Sequence, residues 1–244
     1  MINQNCHACG SEDTYNKFYW HNRAQIADTY QCGKCEHIFR NYFGDVEEYH
    51  REKYRVSGEE GHGMYSKEER LGYIGTIIDN VQPFLDKDMT ALEIGSGDGL
   101  FATQVKDHVK NIICSDIDSK MCEKCKDLGL DFLNSSVLDL KDDTTYDIIF
   151  GFDVLEHVLD IQQFRDKMAK IVNNFLILQV PIDRTMVPPN DRFDGHSHYF
   201  SPNSMISLLG PDFISKGMFY ANPGQLARGP ELLCIFSKNK DKNK

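Results

Sequence analysis

The chain has 244 residues, 41% of them apolar and 26% charged, with a formal net charge of −10. That length suits one ordinary domain with an appendage, and the acidic balance argues against a protein that lives on the nucleic-acid backbone, where phosphate contacts require the opposite sign. No apolar run approaches the ~20 residues of a membrane span and MINQNCHACG does not read as a signal peptide, so a cytoplasmic protein with no membrane partner is expected.

Residues 1–44 contain Cys6, Cys9, Cys32 and Cys35, two C-x2-C pairs separated by 22 residues. Four thiolates surround a tetrahedral ion, and each two-residue spacer lets a tight turn present both of its sulfurs. A zinc-ribbon-like module holding structural Zn2+ is the reading, with the aromatics Tyr15, Phe18, Tyr19 and Trp20 between the pairs. His7 or His37 is an alternative ligand only if one cysteine is free. Cys114 and Cys234 lie in apolar runs and read as small buried hydrophobes, and Cys122 and Cys125 as structural residues on a helix.

Residues 45–89 read as a helical linker or cap. In "KEERLGYIGTIIDNVQPFL", Leu71, Ile74, Ile77, Ile78, Val81 and Leu85 recur at helical spacing and Pro83 marks the end. The glycine-dotted "VSGEEGHGMY" at 56–65 reads as a lid, with Tyr65 at its end.

From residue 90 to the end the pattern is that of an α/β core. Strands are predicted at 90–94, 111–116, 130–135, 146–152 and 174–180, with helices at 99–108, 119–128 and 160–172 and Gly129 as a helix stop. Nearly continuous apolar strands alternating with helices imply a doubly wound, mostly parallel sheet covered on both faces. "DFISKGMFYA" and "ELLCIFSK" have no crossover helix between them, so the sheet should close with an antiparallel pair.

The turn after the first core strand, Gly95-Ser96-Gly97-Asp98-Gly99, differs from the dinucleotide fingerprint in having Leu100 at the third phosphate position. Asp116 ends the second core strand, where a carboxylate can accept hydrogen bonds from ribose hydroxyls. Ile117 offers an apolar flank for a base, and Ser136 with the Val137 backbone can meet its edge.

On these residues the chain resembles the class I S-adenosylmethionine-dependent methyltransferases. Glu93-Ile-Gly95-Ser-Gly97-Asp-Gly99 is similar to their E/D-x-G-x-G-x-G loop, and Asp116 falls on their acidic ribose position. "YDIIFGFDVLEHV", "LQVPID" and "HSHYFSPNSM" resemble later segments of a small-molecule subgroup, so the likeness covers about 64–237. It implies a Rossmann-like core that binds S-adenosylmethionine and transfers its methyl group. Cofactor contacts are then expected from Glu93, Gly95, Ser96, Gly97, Gly99, Asp116, Ile117, Ser136, Val137, Asp153 and Tyr65. A cysteine-rich N-terminal module also occurs in certain sugar C-methyltransferases of this family. The expected acceptor is therefore a small molecule, a hydroxyl or amine of a sugar, sugar nucleotide or polysaccharide precursor. Arg184 and Arg192 are read as a grip for a phosphate or carboxylate on it.

Candidate bases lie after the fourth and fifth core strands, because histidine titrates near neutrality. They are His198, placed first, then His157 and His196; Asp153 and Glu156 are alternative holders of an acceptor amine or hydroxyl. Two other functions stay open at this point. One is an RNA methyltransferase whose zinc module grips nucleic acid, and the other a scaffold that binds the cofactor without turnover.

Overall fold

The computed structural model describes residues 4–16, 27–42, 66–182, 196–221 and 230–242. In chain order the first elements are strands β1 (Thr14–Asn16), β2 (Ala27–Cys32) and β3 (Ile38–Tyr42) and helix α1 (Lys67–Val81). The alternating core follows as β4 (Thr90–Ile94), α2 (Leu100–Val105), β5 (Asn111–Asp116), α3 (Ser119–Asp127), β6 (Asp131–Asn134), β7 (Tyr146–Phe152), α4 (Ile161–Ile171) and β8 (Val172–Pro181). Strand β9 (His198–Tyr199), helix α5 (Pro202–Leu209) and strands β10 (Phe213–Ala221) and β11 (Glu231–Lys238) complete the described chain.

Seven strands form one sheet in the order β10-β11-β8-β7-β4-β5-β6. The neighbours from β8 to β6 are parallel, whereas β11 runs against both β8 and β10. The chain winds outward from β4 to β6 and then returns to place β7 on the other side of β4. The order therefore reverses between β4 and β7, and an open α/β sheet leaves a ligand crevice at the carboxyl ends of such a pair.

Strand periodicity explains why this sheet is covered on both faces. Leu92, Ile94, Ile149, Leu176, Leu178 and Val180 pack with Phe164 and Met168 of α4. Their alternates Ala91, Ile148, Phe150 and Ile177 pack with Ile74, Ile77 and Val81 of α1 and Ala102 and Val105 of α2. Each Val, Leu, Ile, Phe or Met among them contributes about 1.5–3 kcal/mol when fully buried. Local signals set the helix ends. Ser66 and Glu69 form a reciprocal capping box on α1, Asp118 caps α3, and Ser201 with Ser204 caps α5.

The second sheet is antiparallel, in the order β1-β2-β3-β9. Its first three strands come from the cysteine-rich N-terminus, and the fourth comes from beyond β8, with Ile38 opposite Tyr199 and Phe39 opposite His198. Cys6, Ala8, Cys32, Cys35 and Phe39 pack into the same apolar cluster as Phe200 and Met205 of the core. Among the described residues no helix is long and apolar enough to cross a membrane.

Candidate functional site

The turn from β4 into α2 occupies the β4 side of the crevice. Gly95, Gly97 and Gly99 have φ of 63°, 53° and 74°. A left-handed residue with a Cβ costs roughly 1–2 kcal/mol. At Gly95 a Cβ would also stand 2.3 Å from Val154 Cγ2, and at Gly99 it would stand 2.9 Å from both Cys125 Sγ and Leu130 Cδ1. Gly95→Ala is therefore expected to lower the melting temperature by several degrees, on the scale of 2–4 °C per kcal/mol for a chain of this size; an unchanged melt would contradict the packing against Val154.

Asp116, at the end of β5, is 2% exposed. Its Oδ2 accepts the Gly97 N–H at 2.9 Å, its Oδ1 accepts the Asp118 N–H at 2.9 Å, and its carbonyl accepts from Asn134 Nδ2 at 2.9 Å. The carboxylate is thereby fixed in plane and bonded to the glycine turn it faces. Each carboxylate oxygen thus accepts one backbone N–H, and a carboxylate oxygen can accept more than one hydrogen bond. Beside it Ile117 is 56% exposed, an apolar side chain at the rim that no core element covers. Ser136 accepts from the Leu138 N–H and begins the short turn that carries Val137.

Two acidic residues of the turn have distinct roles. Asp98 takes both guanidinium nitrogens of Arg70 on α1, at 2.7 and 2.8 Å, which ties that helix to the loop. Glu93 is 4% exposed beneath the turn. Burial pushes its carboxyl well above the usual carboxylate range, an effect opposed by a bond from the Ala102 backbone. That bond ties Glu93 to α2, the helix that follows the glycine turn.

On the β7 side Asp153 has φ of 54°, uncommon for a residue with a side chain, and its N–H bonds to the Gln179 carbonyl at 3.1 Å. Strain of this kind clusters at functional sites. The next residue, Val154, is the one packed on Gly95, so the following turn, Leu155–His157, adjoins the glycine loop. There Glu156 is 1% exposed and His157 and His196 are half-buried. The two imidazole rings meet at 4.9 Å and 73°, and His157 Nε2 is 3.9 Å from Glu156 Oε1. One donor atom from each of Glu156, His157 and His196 lies within 4.8 Å of the other two.

His196 is held in place by the N-terminal module. Arg40 of β3 donates from Nη1 to the His196 carbonyl at 2.9 Å and from its backbone N–H to the Ser197 carbonyl at 3.0 Å. Its guanidinium also lies over the Tyr199 ring at 5.3 Å. The Ser197 N–H donates to the Glu156 carbonyl at 2.7 Å, which joins the two halves of the cluster.

His198 departs from the expectation that placed it first among the bases. Its side chain is 1% exposed, stacked at 5.2 Å on His37 and close to His7 and Phe200. Its Nε2 faces the Leu159 carbonyl at 3.3 Å. Burial holds the ring well below the usual histidine range, and so it stays neutral. Pairing β9 with β3 turns this residue into the seam between module and core. Tyr65, Arg184 and Arg192 lie outside the described residues.

Sequence reasoning missed three supports. Gln179 and Glu231, both almost fully buried, bond to each other at 2.7 Å at the carboxyl end of β8, and Tyr73 of α1 donates to the same Glu231 oxygen. Cys125 directs its thiol to the Gly97 carbonyl at 3.6 Å and so props the turn. Arg40 is the third. A polar residue inside an otherwise apolar strand, as in "LILQV", was the one available signal.

At the module's centre, Cys6 Sγ lies 3.6 Å from Cys35 Sγ, and Cys9 Sγ lies 3.6 Å from Cys32 Sγ. A disulfide would require about 2.05 Å. The edge of a tetrahedron with metal–sulfur bonds of about 2.3 Å is about 3.8 Å, so the donor set fits a zinc-class ion. All four sulfurs lie within 4.8 Å of one another. His37 Nδ1 reaches Cys6 Sγ at 3.6 Å, acting as a neighbour of the sulfurs and not as a fifth donor. The Cys35 thiol beside it, with help from His37, holds Cys6 well below the usual thiol range.

Residues 92–174 match the family described as a methyltransferase domain. The ubiquinone biosynthesis O-methyltransferase of Rickettsia bellii is 28% identical over 109 residues, 41% of this chain; the match spans 44% of that relative's length. Its counterpart from Rickettsia felis is 30% identical over 178 residues, covering 62% of this chain and 72% of the relative. Among solved structures, a magnesium protoporphyrin IX methyltransferase from Synechocystis with bound S-adenosylhomocysteine superposes with a TM-score of 0.64. It is 16% identical and covers 80% of this chain and all of that one, which is a likeness of fold.

Proposed function

Because the chain belongs to the class I S-adenosylmethionine-dependent methyltransferase family, we propose that it moves the methyl group of S-adenosylmethionine onto the hydroxyl oxygen of a small molecule. The observation that carries this reading is the bond between Asp116 and the Gly97 N–H, which ties a buried carboxylate to the glycine turn at the strand-order reversal. Bound there, the cofactor would supply an already activated methyl on a sulfonium. Asp116 would accept from the ribose hydroxyls, Ile117 would lie along the adenine, and Ser136 with Val137 would meet its edge. Asp153, with its backbone pinned to Gln179, would face the end where cofactor and acceptor meet.

The acceptor side is assigned to the turn after β7 and to His196. In the transfer, oxygen bonds to the methyl carbon as the carbon–sulfur bond breaks and its electron pair moves to sulfur. The protein's principal task is alignment, which can contribute roughly 7–11 kcal/mol. The hydroxyl proton must also leave, and Glu156, His157 and His196 are the groups placed to assist. Either His157→Ala or His196→Ala is expected to lower kcat ~10²-fold, with the Kd for S-adenosylhomocysteine within about two-fold of its original value. Initial rates and calorimetry on the same samples check this, and a lost Kd would move the residue to the cofactor side.

An acceptor hydroxyl is favoured because both named relatives are O-methyltransferases. Their names point to ubiquinone biosynthesis, so a phenolic acceptor ranks ahead of the sugar expected from the cysteine-rich module. Zn2+ on Cys6, Cys9, Cys32 and Cys35 completes the reading, in a structural role because four thiolates leave no open position. Incubation with S-adenosylmethionine and separate panels of phenols, sugar nucleotides and tRNA, followed by mass spectrometry for an added CH2, tests the proposal. A product from none of them, in protein that binds S-adenosylhomocysteine, would overturn it.

A further inference from the structure

We infer that Arg40, which the N-terminal module contributes, is a positioning residue for methyl transfer: it sets the His196 imidazole against His157. The inference deepens the methyl-transfer reading and rests on it for what the paired rings do to an acceptor.

Arg40 reaches His196 by two routes. Its Nη1 donates to the His196 carbonyl at 2.9 Å, and its backbone N–H donates to the next carbonyl, that of Ser197, at 3.0 Å. These bonds fix the main chain from which the imidazole projects. The same guanidinium lies over the Tyr199 ring at 5.3 Å, and that ring meets the His196 ring edge-on at 5.5 Å and 63°. The series ends at His157, whose ring stands 4.9 Å from that of His196. Ser197 and Tyr199 are both buried, so neither route has slack. The Ser197 N–H also donates to the Glu156 carbonyl at 2.7 Å, which ties the stretch to the turn that bears His157.

The residue type matters here. Arginine has a planar fork that donates in its own plane while its face rests on an aromatic ring, whereas a lysine ammonium is a point charge. Methionine has a similar reach and can do neither. It keeps the backbone N–H, so the pairing of Ile38 with Tyr199 and Phe39 with His198 does not depend on the side chain at position 40. A misplacement of about 1 Å at a reacting group can cost ~10²-fold in rate. A loosened His196 would therefore be felt in kcat, although Arg40 belongs neither to the glycine turn nor to the four cysteines.

The test uses the full chain with 13C-labelled histidine, read by NMR, with the two ring signals assigned from His157→Ala and His196→Ala. Arg40→Met is expected to shift the ring-proton signals of both histidines, since each lies in the ring current of the other. The melting temperature should stay within about 4 °C of the original, and the Kd for S-adenosylhomocysteine within about two-fold. Arg40→Lys should bring part of the shift back. With the panel compound that is methylated, Arg40→Met should lower kcat ~10-fold at unchanged KM for S-adenosylmethionine. In His196→Ala it should lower kcat no further, as a residue that acts through another requires. Histidine signals that stay in place, or losses in kcat that multiply in the double variant, would overturn the inference. Should Arg40→Met melt far lower, Arg40→Lys is judged by the same two criteria. Shifted signals in protein that methylates no panel compound remove the methyl-transfer reading, and unmoved signals in an active enzyme remove the role of Arg40 alone.

Discussion

Asp116→Ala is expected to weaken S-adenosylhomocysteine binding by two orders of magnitude or more, the largest effect of any single change on the cofactor side. A hundred-fold loss is about 2.8 kcal/mol. Hydrogen bonds to a charged acceptor are worth about 1.5–3 kcal/mol each, and two ribose hydroxyls would be deprived of theirs. The substitution also releases the Gly97 and Asp118 N–H groups, both now bonded at 2.9 Å, so the turn itself loses an anchor. Asp116→Asn should recover little, because an amide would aim its NH2 at one of those two donors. Titration calorimetry decides the matter, and a Kd within three-fold of the original for Asp116→Ala would remove the carboxylate from the nucleotide site.

The second large effect concerns stability. On the proposed zinc site, Cys32→Ser is expected to abolish metal binding by the N-terminal module and to lower the melting temperature of the metal-loaded chain by at least 10 °C. Structural zinc contributes apparent free energies of about 10–16 kcal/mol in small zinc domains at neutral pH. Even a third of that, at 2–4 °C per kcal/mol, gives a shift of this size. The effect reaches the whole chain because Cys32 is fully buried in a cluster continuous with the core. Native mass spectrometry and a melting curve read both quantities. A variant that keeps its metal content and its melt would show that the four thiols are no more than a packed apolar group.

Strand positions were the most legible part of the fold. Residues 90–94, 111–116 and 146–152 are apolar runs with clear polar or glycine boundaries, and the observed strands have those limits. The antiparallel closing pair followed from the missing crossover. Strand β9 was not readable, since two residues carry no period and their partners lie about 160 positions earlier in the chain. That omission led to the misplacement of His198. Nothing local in "HSH" says which ring is buried; pairing with Phe39 decides it. The Arg70–Asp98 ion pair was hidden for the same reason, joining a surface helix to a loop 28 positions away. Charge in the glycine turn was visible in sequence, whereas its partner was set by tertiary packing alone.

The completion of the N-terminal sheet by β9, a strand from the far end of the chain, has a bearing on how this architecture can be inherited. A cassette domain can be gained or lost only if both sides of the cut remain satisfied. Here, excision of the first forty residues would leave the backbone of β9 as an unpaired edge next to newly bared Phe200, a template for self-association. The cysteine-rich segment and the stretch that bears His196 are therefore bound to change together. Chimeras that exchange one without the other should precipitate before their catalysis can be measured.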